Sequence, residues 1–162
     1  MNHEWKIDNI LYQEKTLQFD RFTFENAYEI GSMLYAIAFK RGLPIAIDIT
    51  RNGHRLYHTA LSGSSPDNEA WIERKKNVVN RFSHSSYYMS LFLENENTTI
   101  EDQFLLDSSE FAAHGGSFPI IIRGTGVIGT ITVSGLPSED DHALVVEVLT
   151  DYLGGSHEVS QH

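Results

Sequence analysis

A histidine, two glycines and a serine stand together directly before a very apolar run. Residues 112–120 read AAHGGSFPI, which includes His114, Gly115, Gly116 and Ser117. An imidazole can act near neutral pH as an acid, a base, an axial ligand or a hydrogen-bond donor, and glycines leave backbone N–H groups that no Cβ covers. We therefore expect the backbone here to approach a ligand or another chain closely. The alternative is a loop that needs positive φ angles before its strand, with His114 merely nearby.

A lysine occupies the apolar stripe of the middle helix that the pattern predicts. Trp71, Lys75, Val78 and Phe82 recur at helical spacing, which places Lys75 among core-facing residues. A buried ammonium group needs a partner or shifts its pKa. Lys75 therefore either faces an anionic ligand or catalytic partner, or pairs with a carboxylate or reaches the edge of the core for structural reasons.

A second stripe of this helix carries cations and an imidazole. Its members are Arg74, Asn77, Arg81, His84 and Tyr88. Two guanidinium groups on one face, with an imidazole beyond them, can clamp a carboxylate or a phosphate. The alternative is a hydrated or interfacial face.

The charge of the chain is unevenly distributed. The net charge is −10, which argues against general nucleic-acid binding, yet residues 40–81 carry eight basic and four acidic side chains. There is no cysteine, no apolar run long enough to span a membrane, and no apolar leader in the first twenty residues. We expect a cytoplasmic protein with no membrane partner, whose cationic middle is an anion site, a subunit contact or a solvated face.

Metal, phosphate-loop and nucleophile signals are weak. His54 and His58 fall four residues apart on a predicted strand, roughly 13 Å, which is too far to share one ion, and we assign no metal site. Ser134 and Gly135 precede a helix start that could hold an anion. Capping of that helix by Ser138 and Asp141 is the favoured alternative.

The elements that position these residues follow from periodicity and turn signals. The pattern predicts a helix ending at Gly42, a hairpin turning at Asn52–Gly53 with Ile49 opposite Leu56, and a helix starting after Ser65 with an interruption near 83–86. A second hairpin, a closing helix and a possible extra strand near 16–19 complete an α+β fold. We expect one domain over 1–155 and a flexible tail over 156–162.

The blocks HGGSFPI and GTGVIGTITVSGLPSEDDH resemble the haem-degrading-domain family of GlcG/HbpS-like proteins over about residues 17–153. That resemblance implies a profilin-like fold, a five-stranded antiparallel sheet with helices packed on it, and a homo-oligomer. It also implies haem as a possible cofactor, since some relatives bind haem. The positions that match the family pattern are Lys75, Gly115, Gly116, Pro119, Ser134 and Gly135.

Three functions remain open from the sequence. The first is a binding module in which Arg74, Lys75 and Arg81 attract a small anionic ligand, haem or another tetrapyrrole included, and His84 or His114 ligates it. The second is an enzyme of undefined reaction with a histidine base and a Lys/Arg anion site. The third is a subunit interface at the same residues. We favour the binding module, and the sequence assigns no catalytic residue.

Overall fold

Six helices and four strands follow one another in the computed structural model, which describes residues 3–154. The predicted tail over 156–162 lies outside the described residues. The helices are α1 (Glu4–Thr16), α2 (Phe24–Arg41), α3 (Pro66–Phe82), α4 (Ser86–Asn95), α5 (Ile100–Phe104) and α6 (Ser138–Gly154). The strands are β1 (Ala46–Arg51), β2 (His54–Ala60), β3 (Ser117–Ile122) and β4 (Gly126–Ser134).

The strands form one antiparallel sheet in the order β2-β1-β4-β3, which confirms the predicted α+β class. The expected fifth strand is not formed in the described part of the chain. Residues 16–19 contribute a single bridge between Phe19 and Ile122. Thr16 belongs to the last turn of α1, and Thr23 caps α2, so the predicted strand is partly replaced by helix and only Phe19 of this segment pairs with the sheet.

The first hairpin turns where predicted, but its pairing differs. Asn52 and Gly53 both take positive φ angles, of 50° and 78°. The register shifts between Ile49 and Thr50, so that Ile49 pairs with Tyr57, and the predicted pairing with Leu56 is wrong. A bulge, which adds one residue to β2, produces this shift.

The two faces of the sheet differ in chemistry because side chains alternate along each strand. One face is apolar and packs under α2 and α6; its fully buried members are Ile47, Ile49, Phe118, Ile120, Ile131 and Val133. The other face is buried but polar; its members include Asp48, Thr50, Ser117, Thr130 and Thr132.

Helix α3 covers the polar face and sets the position of both buried lysines. Its start is a capping box at Ser65, followed by a proline, and its C-cap is Ser83, where φ is 59°. Within α3, Nζ of Lys76 lies 3.0 Å from Oγ1 of Thr50 and 3.2 Å from Oδ1 of Asp48. These contacts hold α3 across β1, and the preceding lysine, Lys75, then points toward the end of β4. No helix in residues 3–154 is long and apolar enough to cross a bilayer.

Candidate functional site

The cationic helix α3 and the glycine turn meet in space. They line a hollow of about 240 Å³, which we name the Lys75 pocket. Lys75 and Trp71 come from α3, His114 and Gly115 from the turn, and Asp141 from α6. The rest of the lining consists of Asn68, Ser134, Gly135, Leu136 and Ser138.

A buried ion pair forms the floor of the Lys75 pocket. Nζ of Lys75 donates to Oδ2 of Asp141 at 3.0 Å and to the carbonyl oxygen of Val133 at 3.2 Å. The two side chains are 4% and 1% exposed. Burial raises the pKa of Asp141 to about 6, against the opposing effect of Lys75, and burial lowers the pKa of Lys75, against the opposing effect of Asp141. Both shifts are in the direction that favours the neutral form of each group.

The backbone N–H groups before α6, which could hold an anion, bind the carboxylate of Asp141 instead. Asp141 accepts hydrogen bonds from the backbone N–H of Gly135 at 3.3 Å and of Leu136 at 3.1 Å. Ser138 accepts from the backbone N–H of Gly115 at 2.6 Å. The expected Ser138–Asp141 capping pair is therefore replaced by two separate roles: Asp141 binds the backbone before the helix, and Ser138 binds the glycine turn.

The two glycines are explained by close approach within one chain. A Cβ on Gly115 would lie 2.2 Å from the carbonyl oxygen of Ser138. Gly116 has a φ of 136°, and a Cβ there would lie 2.4 Å from the carbonyl oxygen of Val133 and 2.7 Å from Nζ of Lys75. Only glycine lets the turn pass this close to the buried amine.

A second hollow, the Trp71 pocket, lies on the other side of Trp71 and His114. It also measures about 240 Å³, and its lining consists of Trp71, Arg74, Leu93, Ile100, Glu101, Ser108, Phe111, Ala112, Ala113 and His114. The rings of Trp71 and His114 meet edge to face with centroids 5.2 Å apart, and the guanidinium carbon of Arg74 lies 4.2 Å from the Trp71 ring centre. Burial, followed by the charges of Lys75 and Arg74, lowers the pKa of His114, so its imidazole is neutral at pH 7.

The remaining candidate residues lie outside both pockets. Ser117 is fully buried and bonds the hydroxyls of Ser86 and Thr132 in the polar layer under α3. The guanidinium of Arg81 lies over the ring of Phe111. Nδ1 of His84 lies 2.6 Å from Oε1 of Glu14, so His84 serves the contact with α1. The structure thus brings together Lys75, His114, Gly115 and Gly116, places Arg74 beside them, and separates Arg81, His84 and Ser117 from them.

Two residues that line the Lys75 pocket were missed by sequence reasoning. The sequence pattern assigns only capping roles to Asp141 and Ser138, and the pairing of Lys75 with Asp141 spans 66 positions of sequence. Its one local signal was the SGLP stretch, which places an acidic residue close behind backbone N–H groups. Within residues 3–154, no cluster of three or more His, Cys, Asp or Glu side chains is placed to hold a metal ion.

Comparisons with known proteins identify relatives over almost the whole chain. A family model described as "Haem degrading protein HbpS-like" matches residues 22–150. A UPF0303 protein of Streptomyces avermitilis is 48% identical over 147 residues, which cover 91% of this chain and 90% of the relative. A UPF0303 protein of Sinorhizobium medicae is 46% identical over 158 residues, which cover 98% and 96%.

Solved structures also match this chain over most of its length. The crystal structure of Ybr137w protein matches with a TM-score of 0.85 and 34% identity, over 96% of this chain and 90% of that chain. HbpS matches with a TM-score of 0.64 and 21% identity, over 85% and 94%. A PduOC:Heme complex matches with a TM-score of 0.65 and 13% identity, over 80% and 93%. The last two likenesses establish the fold alone.

Proposed function

The chain belongs to the HbpS-like haem degrading protein family, and from this premise we propose that it binds a flat, carboxylate-bearing small molecule at Trp71, His114 and Arg74. Haem is the candidate ligand that the family description and the PduOC:Heme complex suggest. The observation that carries the proposal is that three side chains lie together between the two hollows: the indole of Trp71, the neutral imidazole of His114 and the guanidinium of Arg74. We call these three side chains the triad.

Each member of the triad supplies a different part of the recognition. Within residues 3–154, Arg74 has no carboxylate at salt-bridge distance, so its guanidinium is available to hold a ligand carboxylate bidentately. The imidazole of His114 is neutral and keeps a lone pair for a metal or a hydrogen-bond donor. Trp71 gives both hollows an aromatic wall against which a flat ligand can pack.

The side chains of the triad can ligate the iron of haem and pair with its propionate, but the volume of either hollow holds only part of the macrocycle. His114 would ligate the iron, Arg74 would pair with a propionate, and Leu93, Ile100 and Phe111 would contact the macrocycle. Haem supplies redox chemistry at its iron when bound. Each hollow measures about 240 Å³, below the roughly 300–1,000 Å³ of sites that enclose drug-sized ligands. A macrocycle would therefore span both hollows or be covered by a second copy of the chain.

The second part of the proposal is a homo-oligomer. Four aromatic side chains, Phe24, Tyr28, Tyr35 and Phe39, share one face of α2 and are 39–71% exposed. This face lies beside β2, which is an edge strand of the sheet. The other edge strand, β3, is bridged by Phe19. An uncovered strand edge next to an aromatic face supports self-association at this side of the protomer.

Hemin titration followed at the Soret band tests the ligand proposal. We expect a saturable shift for the wild type, loss or displacement of that shift in His114→Ala, and weaker binding in Arg74→Ala. His84→Ala is the matched control, because His84 lies outside both hollows and should titrate like the wild type.

Native mass spectrometry of freshly purified protein provides the second readout, since a retained small carboxylate would appear as a mass shift that Arg74→Ala removes. A hemin titration without saturation, together with no retained ligand, would overturn the proposal. Equal loss in His84→Ala and His114→Ala would reject the assignment to the triad.

A further inference from the structure

We propose that Lys75 captures small hydroxylated aldehydes or ketones as an imine, with Asp141 moving the protons. The inference stands on the Lys75 pocket: an amine and a carboxyl group in direct contact at the floor of a small polar hollow. It does not rest on the binding of a flat ligand by the triad, because Lys75 and Asp141 carry it.

The amine of Lys75 has room for one more partner. Among the described residues its Nζ bonds two acceptors, Oδ2 of Asp141 and the carbonyl oxygen of Val133. A tetrahedral amine has one further position, and Lys75 is part of the pocket lining. Gly116 keeps any side chain away from Nζ, since a Cβ there would lie 2.7 Å from it.

The neighbouring lysine shows what a purely structural amine looks like in this fold. Lys76 is nearly as buried as Lys75, at 8% against 3% exposure. Its Nζ lies within 3.2 Å of three oxygen atoms, from Thr50, Glu73 and Asp48. It is absent from the lining of the pocket. Lys76 therefore has three oxygen partners and lies outside the Lys75 pocket, whereas Lys75 has two and lines it.

Lys75 and Asp141 supply every proton that formation of the imine needs. Transfer of one proton from Lys75 to Asp141 along their hydrogen bond gives a neutral amine and a carboxylic acid, which burial of both groups favours. The nitrogen lone pair forms a C–N bond to the carbonyl carbon, and the oxygen takes the proton of Asp141. The carbinolamine nitrogen then loses a proton to Asp141, which delivers it to the departing hydroxyl. Water leaves and a C=N bond remains.

The lining selects the class of carbonyl compound. Asn68, Ser134, Ser138 and His114 bring amide, hydroxyl and imidazole groups to the wall, so a ligand with hydroxyl groups finds partners there. The volume of about 240 Å³ restricts the ligand to a few carbon atoms. Glycolaldehyde, as the smallest hydroxylated aldehyde, is a suitable probe, and propanal is its apolar counterpart.

Reductive trapping tests the proposal directly. The full chain is incubated with glycolaldehyde and cyanoborohydride at neutral pH, and the modified lysines are located by peptide mapping. Because a lowered pKa gives a lysine more free amine at neutral pH, we expect Lys75 to be labelled faster than the exposed Lys15 and Lys40. Labelling of Lys75 should saturate with glycolaldehyde and be slower with propanal.

Three variants separate Lys75 from its surroundings. Lys75→Arg should lose the fast label and Lys76→Arg should keep it. Asp141→Asn should slow the label at Lys75, because no carboxylic acid protonates the carbonyl oxygen. Lys75 peptides of the wild type that are unlabelled, or labelled no faster than Lys15, would overturn the proposal whether or not any variant folds. Because Asp141 opposes the lowered pKa of Lys75, its removal alone would free more amine, and an unchanged or faster rate in Asp141→Asn would reject the role of Asp141 as the acid.

Discussion

The amine of Lys75 and the carboxylate of Asp141 lie 3.0 Å apart in the interior, although 66 positions of sequence separate them. Through this contact α3, which covers the polar face of the sheet, is joined to the first turn of α6, which covers the apolar face. Asp141 also fixes the backbone at Gly135 and Leu136. One ion pair thus joins two helices, a strand end and a loop around the Lys75 pocket.

Removal of one partner of this ion pair should lower the free energy of unfolding far more than removal of both. Lys75→Met leaves a carboxylate buried without a cation, and we expect a loss of about 3–5 kcal/mol in the free energy of unfolding. The double variant Lys75→Met/Asp141→Asn leaves no uncompensated charge, so it should be more stable than the sum of the two single losses predicts. Urea unfolding of the four proteins at pH 7 measures this coupling. Strictly additive losses would show that the two groups do not depend on each other.

Acid should destabilise the protein through His142. Burial lowers the pKa of this imidazole from 6.5 to about 4. Its Nε2 lies 2.8 Å from Oε1 of Gln13, and its Nδ1 is buried without a hydrogen-bond partner in the described structure. The unfolded chain therefore binds the proton first. The stabilisation from His142 is complete above about pH 6.5 and is lost as the pH falls toward 4, by about 3 kcal/mol in total.

His142→Phe isolates this effect, because a phenyl ring can replace the imidazole between Tyr87 and Phe118. We expect the variant to lose about 3 kcal/mol less than the wild type between pH 6.5 and pH 4 in urea unfolding. Asp141 acts with the opposite sign, since its raised pKa of about 6 gives stability that is lost as the pH rises through that value. Both proteins contain Asp141, so its effect cancels in the comparison. Parallel pH profiles would contradict the assignment to His142.

Local patterns predicted what depends on neighbours in sequence. The turn at Asn52–Gly53, the cap at Ser65 and the break near Ser83 are encoded within a few residues, and each is present. Lys75 was placed on a core-facing stripe because helical periodicity reports burial. Its partner Asp141 could not be found this way, because periodicity carries no information about which distant residue meets a buried charge.

The missing fifth strand and the first helix have a common cause. Residues 4–16 have a weak amphipathic pattern, and α1 is held by contacts with α4 and by the Glu14–His84 pair, in which His84 lies just before α4. Tertiary contacts decide such a segment, so propensity alone did not predict it. Between α1 and the cap of α2, Phe19 is the one residue that bridges the sheet edge.

Gly116 should tolerate alanine much less than a glycine with the same backbone freedom but open surroundings. Gly116→Ala adds a Cβ 2.4 Å from the oxygen of Val133, so we expect strain, displacement of Lys75 and a loss of at least about 3 kcal/mol. Gly126→Ala is the control: its φ of 121° is similar to that of Gly116, but no atom lies within 4 Å of the added Cβ, so a smaller loss of about 1–2 kcal/mol is expected. Thermal unfolding of both variants measures the two losses of stability. Equal losses would show that the close approach to Lys75 is unimportant.

Self-association should depend on the aromatic face of α2. Tyr28→Glu and Phe39→Lys place an acid near the start and a base near the end of the helix, which suits its dipole, so the fold should be retained. We expect this double variant to show a lower molecular mass than the wild type by light scattering, with unfolding free energy changed by no more than about 0.5 kcal/mol.

Leu105→Lys is the control, because Leu105 is 88% exposed but lies away from α2. The competing interface is the outer face of α3, and it predicts that Arg74→Ala/Arg81→Ala lowers the mass instead. A wild type that is monomeric, or a double variant with unchanged mass, would reject the α2 interface, because charges at the centre of an apolar contact cannot be accommodated without cost.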